Sequence, residues 1–199
     1  MKKSKRTIEQ DKFSVEILDH NSKRVVDELV CLEEKCFPLE MRNPSSDDYY
    51  SAVLNDPKNI SLLLKYKGKV VGFLVAKEYK RVYDSLSNHD PDLRENKKRL
   101  FYVDLIQIHP RFKINGGLSL LVSKLIEKAL EKDLQGFCLH ARKKNGLSQF
   151  LQKIFDCKRL HSIDNWLGFG EQFDYLEFAI NKKIVKKIIG KLNPIHALN

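Results

Sequence analysis

Residues 100–130, LFYVDLIQIHPRFKINGGLSLLVSKLIEKAL, constrain the fold of this chain more than any other stretch. The stretch opens with strand-forming residues that end at His109–Pro110. After the adjacent glycines Gly116 and Gly117, apolar residues recur at the spacing of an amphipathic helix. These apolar positions are Leu118, Leu121, Val122, Leu125, Ile126, Ala129 and Leu130. The stretch therefore predicts a buried strand, a turn through glycine and a long helix.

The residues before this stretch predict a strand, two helices and a hairpin. FSVEIL alternates like a half-buried strand, and the helical pattern after it has Ser22 as its N-cap and ends before Pro38. Serine and acidic residues after Pro44 start a second helix that continues to about Asn55. Two apolar runs joined at Lys67–Gly68 predict the hairpin, which spans NISLLLKYKGKVVGFLVAKEYKRV.

The residues after it predict a strand in GFCLHAR, a helix in NGLSQFLQKIFD, and strands in KRLHSIDNWLGFG and DYLEFAI. The full order, β-α-α-β-β-β-α-β-α-β-β, predicts a mixed sheet with helices on both faces. Residues 83–99, YDSLSNHDPDLRENKKR, show no periodicity and predict a long excursion, either a solvated insertion or a lid over a substrate.

Composition predicts one ordinary globular domain at residues 13–181, between a basic arm at 1–12 and a basic amphipathic helix and tail at 182–199. No apolar run approaches the roughly 20 residues of a membrane span, and no secretory signal follows the first methionine. The cysteines form no CxxC pair and have no histidine at metal-ligand spacing. We therefore expect a cytoplasmic protein with reduced thiols and no metal.

The formal net charge of +10 favours an anionic ligand or partner, such as a phosphorylated cofactor or an acidic carrier protein. The lysines are scattered and lack interleaved aromatic residues, so nucleic acid is not expected. In the predicted C-terminal helix, lysines lie opposite Ile184, Val185, Ile188, Ile189 and Leu192. Such a helix can lie on an anionic membrane or bind an acidic partner, although packing against its own domain is the commoner arrangement.

Glycine before a helix suits phosphate binding, because the first helical N–H groups are unpaired and glycine permits close approach. Neither GxGxxG nor GxxxxGK[ST] is present, and two glycines alone are more often just a turn. The order of elements, however, resembles the GNAT acetyltransferase superfamily from about Phe13 to Ile180. The segments that carry the resemblance are LEEKCFP, GKVVGFLVAKE and IQIHPRFKINGGLSLLVSKLIEKA.

This resemblance implies an α+β or α/β fold with a central mixed, mostly antiparallel sheet of six to seven strands, helices on both faces, and a splay between strands four and five. The family's pyrophosphate loop reads Arg/Gln-x-x-Gly-x-Gly/Ala. Here Lys113 takes the first slot, Gly116 the first glycine and Leu118 the last position. A frame shifted by one instead uses Phe112, Asn115 and Gly117.

By resemblance, acetyl-CoA is the acyl donor, and two segments bind it. Its diphosphate would lie on Lys113, Ile114, Asn115, Gly116, Gly117, Leu118 and Ser119. Its amide arm would pair with the backbone of Leu105, Ile106, Gln107 and Ile108. Asn145 would hydrogen-bond the arm or cap its own helix, of which capping is the commoner role.

The chemistry implied is direct attack of an amine on the thioester, which requires a base, an oxyanion donor and an acid for the thiolate. Strand alternation predicts one side with Tyr102, Asp104, Ile106 and Ile108, and the other with Val103, Leu105 and Gln107. Related enzymes often carry the base at the positions of Tyr102 and Asp104. Asp104 could instead cap a turn or pair with a lysine of residues 83–99.

The acid of many relatives is a tyrosine in the helix after the fifth strand, where this chain has Leu151 or Gln152. Ser148 is the nearest hydroxyl, and Tyr175 is a tyrosine from elsewhere that could take the role. His109 and His140 lack visible partners for a triad and are predicted to be structural.

The sequence thus predicts an N-acetyltransferase acting on a primary amine. One alternative takes long-chain acyl groups from acyl carrier protein, as acyl-homoserine-lactone synthases and N-acyl amino acid synthases do. Another is an inactive binding module of the same fold.

Overall fold

A computed structural model describes residues 12–18, 22–95, 99–112, 116–180 and 185. Three predicted features lie outside these residues: nearly all of the basic arm, the loop residues Lys113, Ile114 and Asn115, and most of the C-terminal helix. Val185, from that last segment, is buried against the main core.

One sheet of seven strands forms the centre of the described structure, in the order β1-β2-β3-β4-β5-β7-β6. The strands are β1 Phe13–Leu18, β2 Ile60–Tyr66, β3 Lys69–Glu78, β4 Leu100–Ile108, β5 Gly136–Arg142, β6 Lys158–Ile163 and β7 Phe173–Ala179. Only β4 and β5 are parallel; every other neighbouring pair is antiparallel. The predicted mixed, mostly antiparallel sheet is confirmed.

Helices cover both faces of the sheet, as predicted. They are α1 Lys23–Cys36, α2 Ser46–Asn55, α3 Tyr79–Ser87, α4 Gly117–Glu131 and α5 Leu147–Phe155. The first two bury apolar residues against β2 and β3 on one face, and α4 and α5 cover the main core on the other. Ser22 caps α1 by accepting a hydrogen bond from the backbone N–H of Val25, as expected. Among the described residues, no helix is long and apolar enough to cross a membrane.

The parallel strands β4 and β5 are joined over only a short length. Their paired residues are Leu100 with Gly136, Phe101 with Phe137, and Tyr102 with Cys138. Beyond these pairs β4 continues to Ile108 and β5 to Arg142 without pairing to each other. This is the predicted splay between strands four and five, and it opens the sheet from Val103 onward.

A β-bulge at Asp104 makes the predicted alternation along β4 wrong. Val75 pairs with Leu105 and Ala76 with Val103, so Asp104 is an extra residue opposite β3. One extra residue reverses the faces of everything after it. Ile106 and Ile108 therefore pack in the same core as Val103, on the face that α4 covers, whereas Leu105 packs towards α1 and α2.

Residues 83–99 are also not the unstructured excursion that the sequence predicts. Helix α3 begins at Tyr79 and ends at Ser87, because Tyr79, Val82, Tyr83 and Leu86 form an apolar stripe at helical spacing. The chain then turns inwards, and both Asp90 and Leu93 are buried. The segment is thus part of the packed domain over its described residues, 83–95 and 99.

The two glycines before α4 have separate structural reasons. Gly116 has φ of 81° and forms the left-handed turn that starts the helix. At Gly117 a Cβ would lie 2.7 Å from the Cδ2 of Leu64, which is fully buried in β2. The pair therefore lets the N-terminus of α4 lie directly against the sheet.

Candidate functional site: a cleft in the splayed sheet

Two adjoining cavities occupy the gap between β4 and β5. The first, of about 270 Å³, is lined by residues from the end of α1, the second half of β4, and the start of α4 and α5. The second, of about 490 Å³, lies towards the paired end of the strands and is walled by aromatic side chains and α2. The residues common to both are Phe37, Ile106, Arg142, Asn145 and Leu147. We call the first the donor cavity and the second the acceptor cavity, after the roles that the sequence analysis predicts for residues in their linings.

The donor cavity contains about half of the described residues predicted to bind the cofactor. Its lining includes Ile106, Gln107, Ile108, Leu118 and Asn145. Leu105 lines only the acceptor cavity, and Gly116, Gly117 and Ser119 line neither. The cavity nevertheless reaches the start of α4 through Leu118. The unpaired N–H groups in the first turn of this helix can bind an anion.

Two polar side chains of the donor cavity have defined partners. Asn145 accepts a hydrogen bond at 3.0 Å from the backbone N–H of Leu147, the first residue of α5, while Gly146 holds the N-cap position itself. Gln107 is buried and accepts from the hydroxyl of Tyr50 at 3.4 Å. Its amide Nε2 has no hydrogen-bond partner in the described structure.

Asp104, predicted as the base, lines the acceptor cavity and is tied to two neighbours. Its Oδ2 atom accepts a hydrogen bond from the hydroxyl of Tyr49 at 2.6 Å and lies 2.6 Å from the Nζ of Lys77. The lysine comes from β3, not from residues 83–99 as the alternative prediction had it. Burial and the neighbouring carboxylate raise the pKa of Tyr49 well above its ordinary value.

Tyr102 lies at the other side of the acceptor cavity and contacts a histidine. Its hydroxyl is 3.0 Å from the Nδ1 of His140, a residue of β5 that also lines the cavity. The Nε2 of His140 is 2.9 Å from the Oδ2 of Asp90, and the Nε2 of His161 approaches the same oxygen at 2.7 Å. Trp166 stacks on the His140 ring with centroids 3.6 Å apart. The expectation that His140 has no partners is therefore wrong, because both of its ring nitrogens lie within hydrogen-bond distance of another side chain.

The charges of this group follow from burial and hydrogen bonding. Burial lowers the pKa of His140 to about 4, although Asp90 opposes the change, so the imidazole is neutral near pH 7. Burial would raise the pKa of Asp90, but the hydrogen bonds from both histidines outweigh it and the net direction is down. Burial first, and then the charge of Asp104, raises the pKa of Tyr102 well above its ordinary value.

The same group is the one place among the described residues where three potential metal ligands converge. One ligand atom each from Asp90, His140 and His161 lie within 4.8 Å of one another. Two histidines and a carboxylate form a known divalent-cation set. In the hydrogen-bonded arrangement seen here, protons on the two Nε2 atoms satisfy the carboxylate.

The structure places both candidates for the thiolate acid, Ser148 and Tyr175, outside the lining of the cleft. Ser148 is buried and donates a hydrogen bond to the Oδ2 of Asp174 at 2.5 Å. Tyr175 is buried among Tyr79, Cys138 and the two histidines. Ser148 and Tyr175, like Leu151 and Gln152, line neither cavity.

Sequence reasoning missed Asp90 and His161, which lie 50 and 21 residues from His140 along the chain. A partial signal exists, because His140 interrupts a buried apolar strand and a buried imidazole needs partners for both nitrogens.

No protein-family model matches the sequence, and no significant match exists among curated proteins. Solved acetyltransferase structures do match the fold. NAA60 of Arabidopsis thaliana in complex with acetyl-CoA matches with a TM-score of 0.62 at 16% identity, over 86% of this chain and 99% of that one. An aminoglycoside 6'-acetyltransferase type Ii matches at 0.62 and 18% identity, over 85% and 99%. The ribosomal-protein-S18-alanine N-acetyltransferase of Escherichia coli matches at 0.58 and 13%, over 84% and 92%. The chain has the GNAT fold.

Proposed function

We propose that the protein is an N-acyltransferase that moves an acetyl group directly from acetyl-CoA to a primary amine. The observation that carries this proposal is the cleft itself: β4 and β5 separate after a short paired stretch, and two joined cavities fill the gap. A donor thioester in one cavity and an amine in the other would meet near Ile106, which lines both. Bringing the two reactants together in this way supplies much of the rate enhancement for an already activated ester.

The donor would enter along the second half of β4. The edge of β4 beyond Tyr102, which is not paired with β5, offers backbone groups to the amide arm. The start of α4 would bind the diphosphate, with Lys113 to Ser119 as the segment that the resemblance implies. Fold neighbours bound to acetyl-CoA or coenzyme A support this choice of donor.

Two groups of the acceptor cavity can receive the amine proton. Asp104 is a carboxyl group paired with Lys77, and Tyr102 is a hydroxyl that contacts a neutral imidazole. We expect Asp104→Asn and Tyr102→Phe each to lower kcat by about 100-fold, with little change in the KM for acetyl-CoA. Asp48→Asn in α2 and Tyr83→Phe in α3, which line neither cavity, are the matched controls.

The test is release of coenzyme A thiol from acetyl-CoA in the presence of purified protein. The acceptors to try are an unblocked peptide amine, an aminoglycoside and a polyamine, each with mass spectrometry of the product. A signal that requires both substrates and is lost in the two site variants supports the proposal. If coenzyme A neither binds nor is released with any of these amines, the proposal is wrong.

A second candidate uses the same cleft but takes a long acyl chain from acyl carrier protein. The net charge of +10 favours it, because an acidic carrier would be attracted to a basic surface. Calorimetric titration separates the two: direct binding of free coenzyme A supports the first, and binding of the acyl carrier alone supports the second. An inactive binding module would bind without consuming the thioester.

A further inference from the structure

We propose that Asp90 is a positioning residue of this site, which holds His140 in the tautomer that can accept the hydroxyl proton of Tyr102. The inference rests on the proposed function and adds to it the role of the segment that follows α3. That segment carries Asp90 into the core, where its side chain is 1% exposed.

The hydrogen bonds of Asp90 determine the tautomer. The carboxylate can only accept, and its Oδ2 lies within hydrogen-bond distance of the Nε2 atoms of both His140 and His161. Both Nε2 atoms therefore carry hydrogen. A neutral imidazole has one N–H, so the Nδ1 of His140 is an acceptor, and the Tyr102 hydroxyl donates to it.

Neighbouring residues hold the side chains of Tyr102, His140 and Asp90 in this arrangement. Trp166 stacks on one face of the His140 ring, and Tyr175 packs against it at 4.9 Å between centroids. The second oxygen of Asp90 accepts from the backbone N–H of Asp92 at 3.1 Å. Every polar atom of the carboxylate is thus used, and the imidazole cannot rotate without losing hydrogen bonds on both sides.

Asp90 lies behind the cavity and does not line it. Tyr102 and His140 line the acceptor cavity, whereas Asp90 and His161 line neither cavity. Burying a carboxylate is costly, and an apolar residue could fill the same space without that cost. A fully buried carboxylate that contacts a cavity hydroxyl through one imidazole is the arrangement expected of a residue that fixes which nitrogen of that imidazole carries the proton.

The proposed proton path runs from the amine through Tyr102 to His140 and then to the thiolate. The amine nitrogen forms a bond to the thioester carbonyl carbon, and the C–S bond breaks as the tetrahedral intermediate collapses. The N–H proton of that intermediate moves to the oxygen of Tyr102 while the hydroxyl proton of Tyr102 moves to Nδ1 of His140. The resulting imidazolium keeps its Nε2–H on Asp90. Its Nδ1 proton then returns to the oxygen of Tyr102 while Tyr102 releases the proton taken from the amine to the coenzyme A thiolate, directly or through one water molecule.

Asp90, His161, Tyr102 and Tyr175 surround His140. Burial lowers the pKa of His140, and the hydrogen bond to Asp90 opposes that change. Tyr102 and Tyr175 are neutral near pH 7, and burial raises the pKa of both further above that pH. Asp90→Asn would remove the carboxylate that fixes the Nε2 hydrogen of His140 and would therefore free its tautomer.

The test is a double-mutant cycle with Asp90→Asn and Tyr102→Phe. We expect Asp90→Asn to lower kcat by about 100-fold with an unchanged KM for acetyl-CoA, and the double variant to be no slower than Tyr102→Phe. Asp92→Asn, on the same turn but exposed, should keep full activity. If the two losses multiply, or if Asp90→Asn retains wild-type kcat, the inference is wrong while the proposed function stands.

A second measurement uses the wild-type protein and requires no enzymatic turnover. Nitrogen-15 NMR of the wild-type histidines should show His140 neutral and protonated at Nε2 near pH 7. The opposite tautomer, or an imidazolium, would overturn the inference even in an active enzyme. A metal role would also overturn it, and would appear as activity lost to a chelator and restored by Zn²⁺. Wild-type protein that transfers no acyl group would remove the proposed function, and the inference with it.

Discussion

Acidification should destabilise this protein through His140 before most carboxylates titrate. The pKa of His140 is about 4 in the folded chain because the ring is buried, against 6.5 for an ordinary histidine. A histidine whose pKa is lowered by folding contributes fully to stability at pH values above its pKa in the unfolded chain. That contribution is lost as the pH falls below this pKa, because the unfolded chain takes up a proton and the folded chain does not. From these two pKa values, proton linkage lowers the free energy of unfolding by about 2 kcal/mol between pH 7.5 and pH 5.

Urea unfolding at the two pH values measures this loss. The single tryptophan, Trp166, stacks on His140 and reports the local environment, and far-ultraviolet circular dichroism reports the whole domain. His140→Gln should be less stable at pH 7.5 but should lose about 2 kcal/mol less than wild type on acidification. His89→Gln, an exposed control, should keep the wild-type dependence. Equal losses in wild type and His140→Gln would refute the neutral buried imidazole.

Two further predictions test the sheet and the donor cavity. At Gly136 a Cβ would lie 2.2 Å from the carbonyl oxygen of Phe178, so Gly136→Ala should cost about 3 kcal/mol or more in urea unfolding. Gly68→Ala, which meets nothing within 4 Å but has φ of 76°, should cost only about 1 kcal/mol; similar costs would contradict the close approach of β5 and β7. Cys36 lines the donor cavity and Cys31 is exposed, so coenzyme A should slow alkylation of Cys36 and leave Cys31 unaffected. Equal protection of both thiols, or of neither, in peptide mass spectrometry would argue against coenzyme A in this cavity.

Periodic segments were predictable because their patterns are local. The hairpin at Lys67–Gly68, the helix after Gly117 and the strand before Arg142 each repeat over a full element, and all three are present. Helix α3 shows how such a pattern can be lost. Its apolar residues lie at positions 79, 82, 83 and 86, which is good helical spacing, but the first two also fit the end of the predicted hairpin. The remaining two were too few to show a period.

The bulge at Asp104 could not be predicted in the same way. Alternation assumes one residue per partner, and nothing in YVDLIQI marks the extra residue. The consequence is large, since the faces of Ile106, Ile108 and Leu105 all reverse. An ionisable residue inside an apolar strand was nevertheless a correct signal of an unusual position, because a bulged residue turns away from the regular pleat.

The two halves of the cleft differ in how far sequence can reveal them, and the reason is chain distance. The donor cavity is built largely from β4, α4 and the start of α5, which follow one another closely in sequence, so a motif can describe them. The acceptor cavity draws on α1, α2, β4, β5 and the turn around Trp166, and Asp90 contacts its lining residue His140 from a sixth segment. Contacts between residues so far apart in sequence form through tertiary packing, so no local spacing in the sequence indicates them. The proton transfer that we propose therefore depends on the part of the fold that has the fewest sequence motifs, and substitutions at Asp90 and His140 test it more directly than any in the glycine turn.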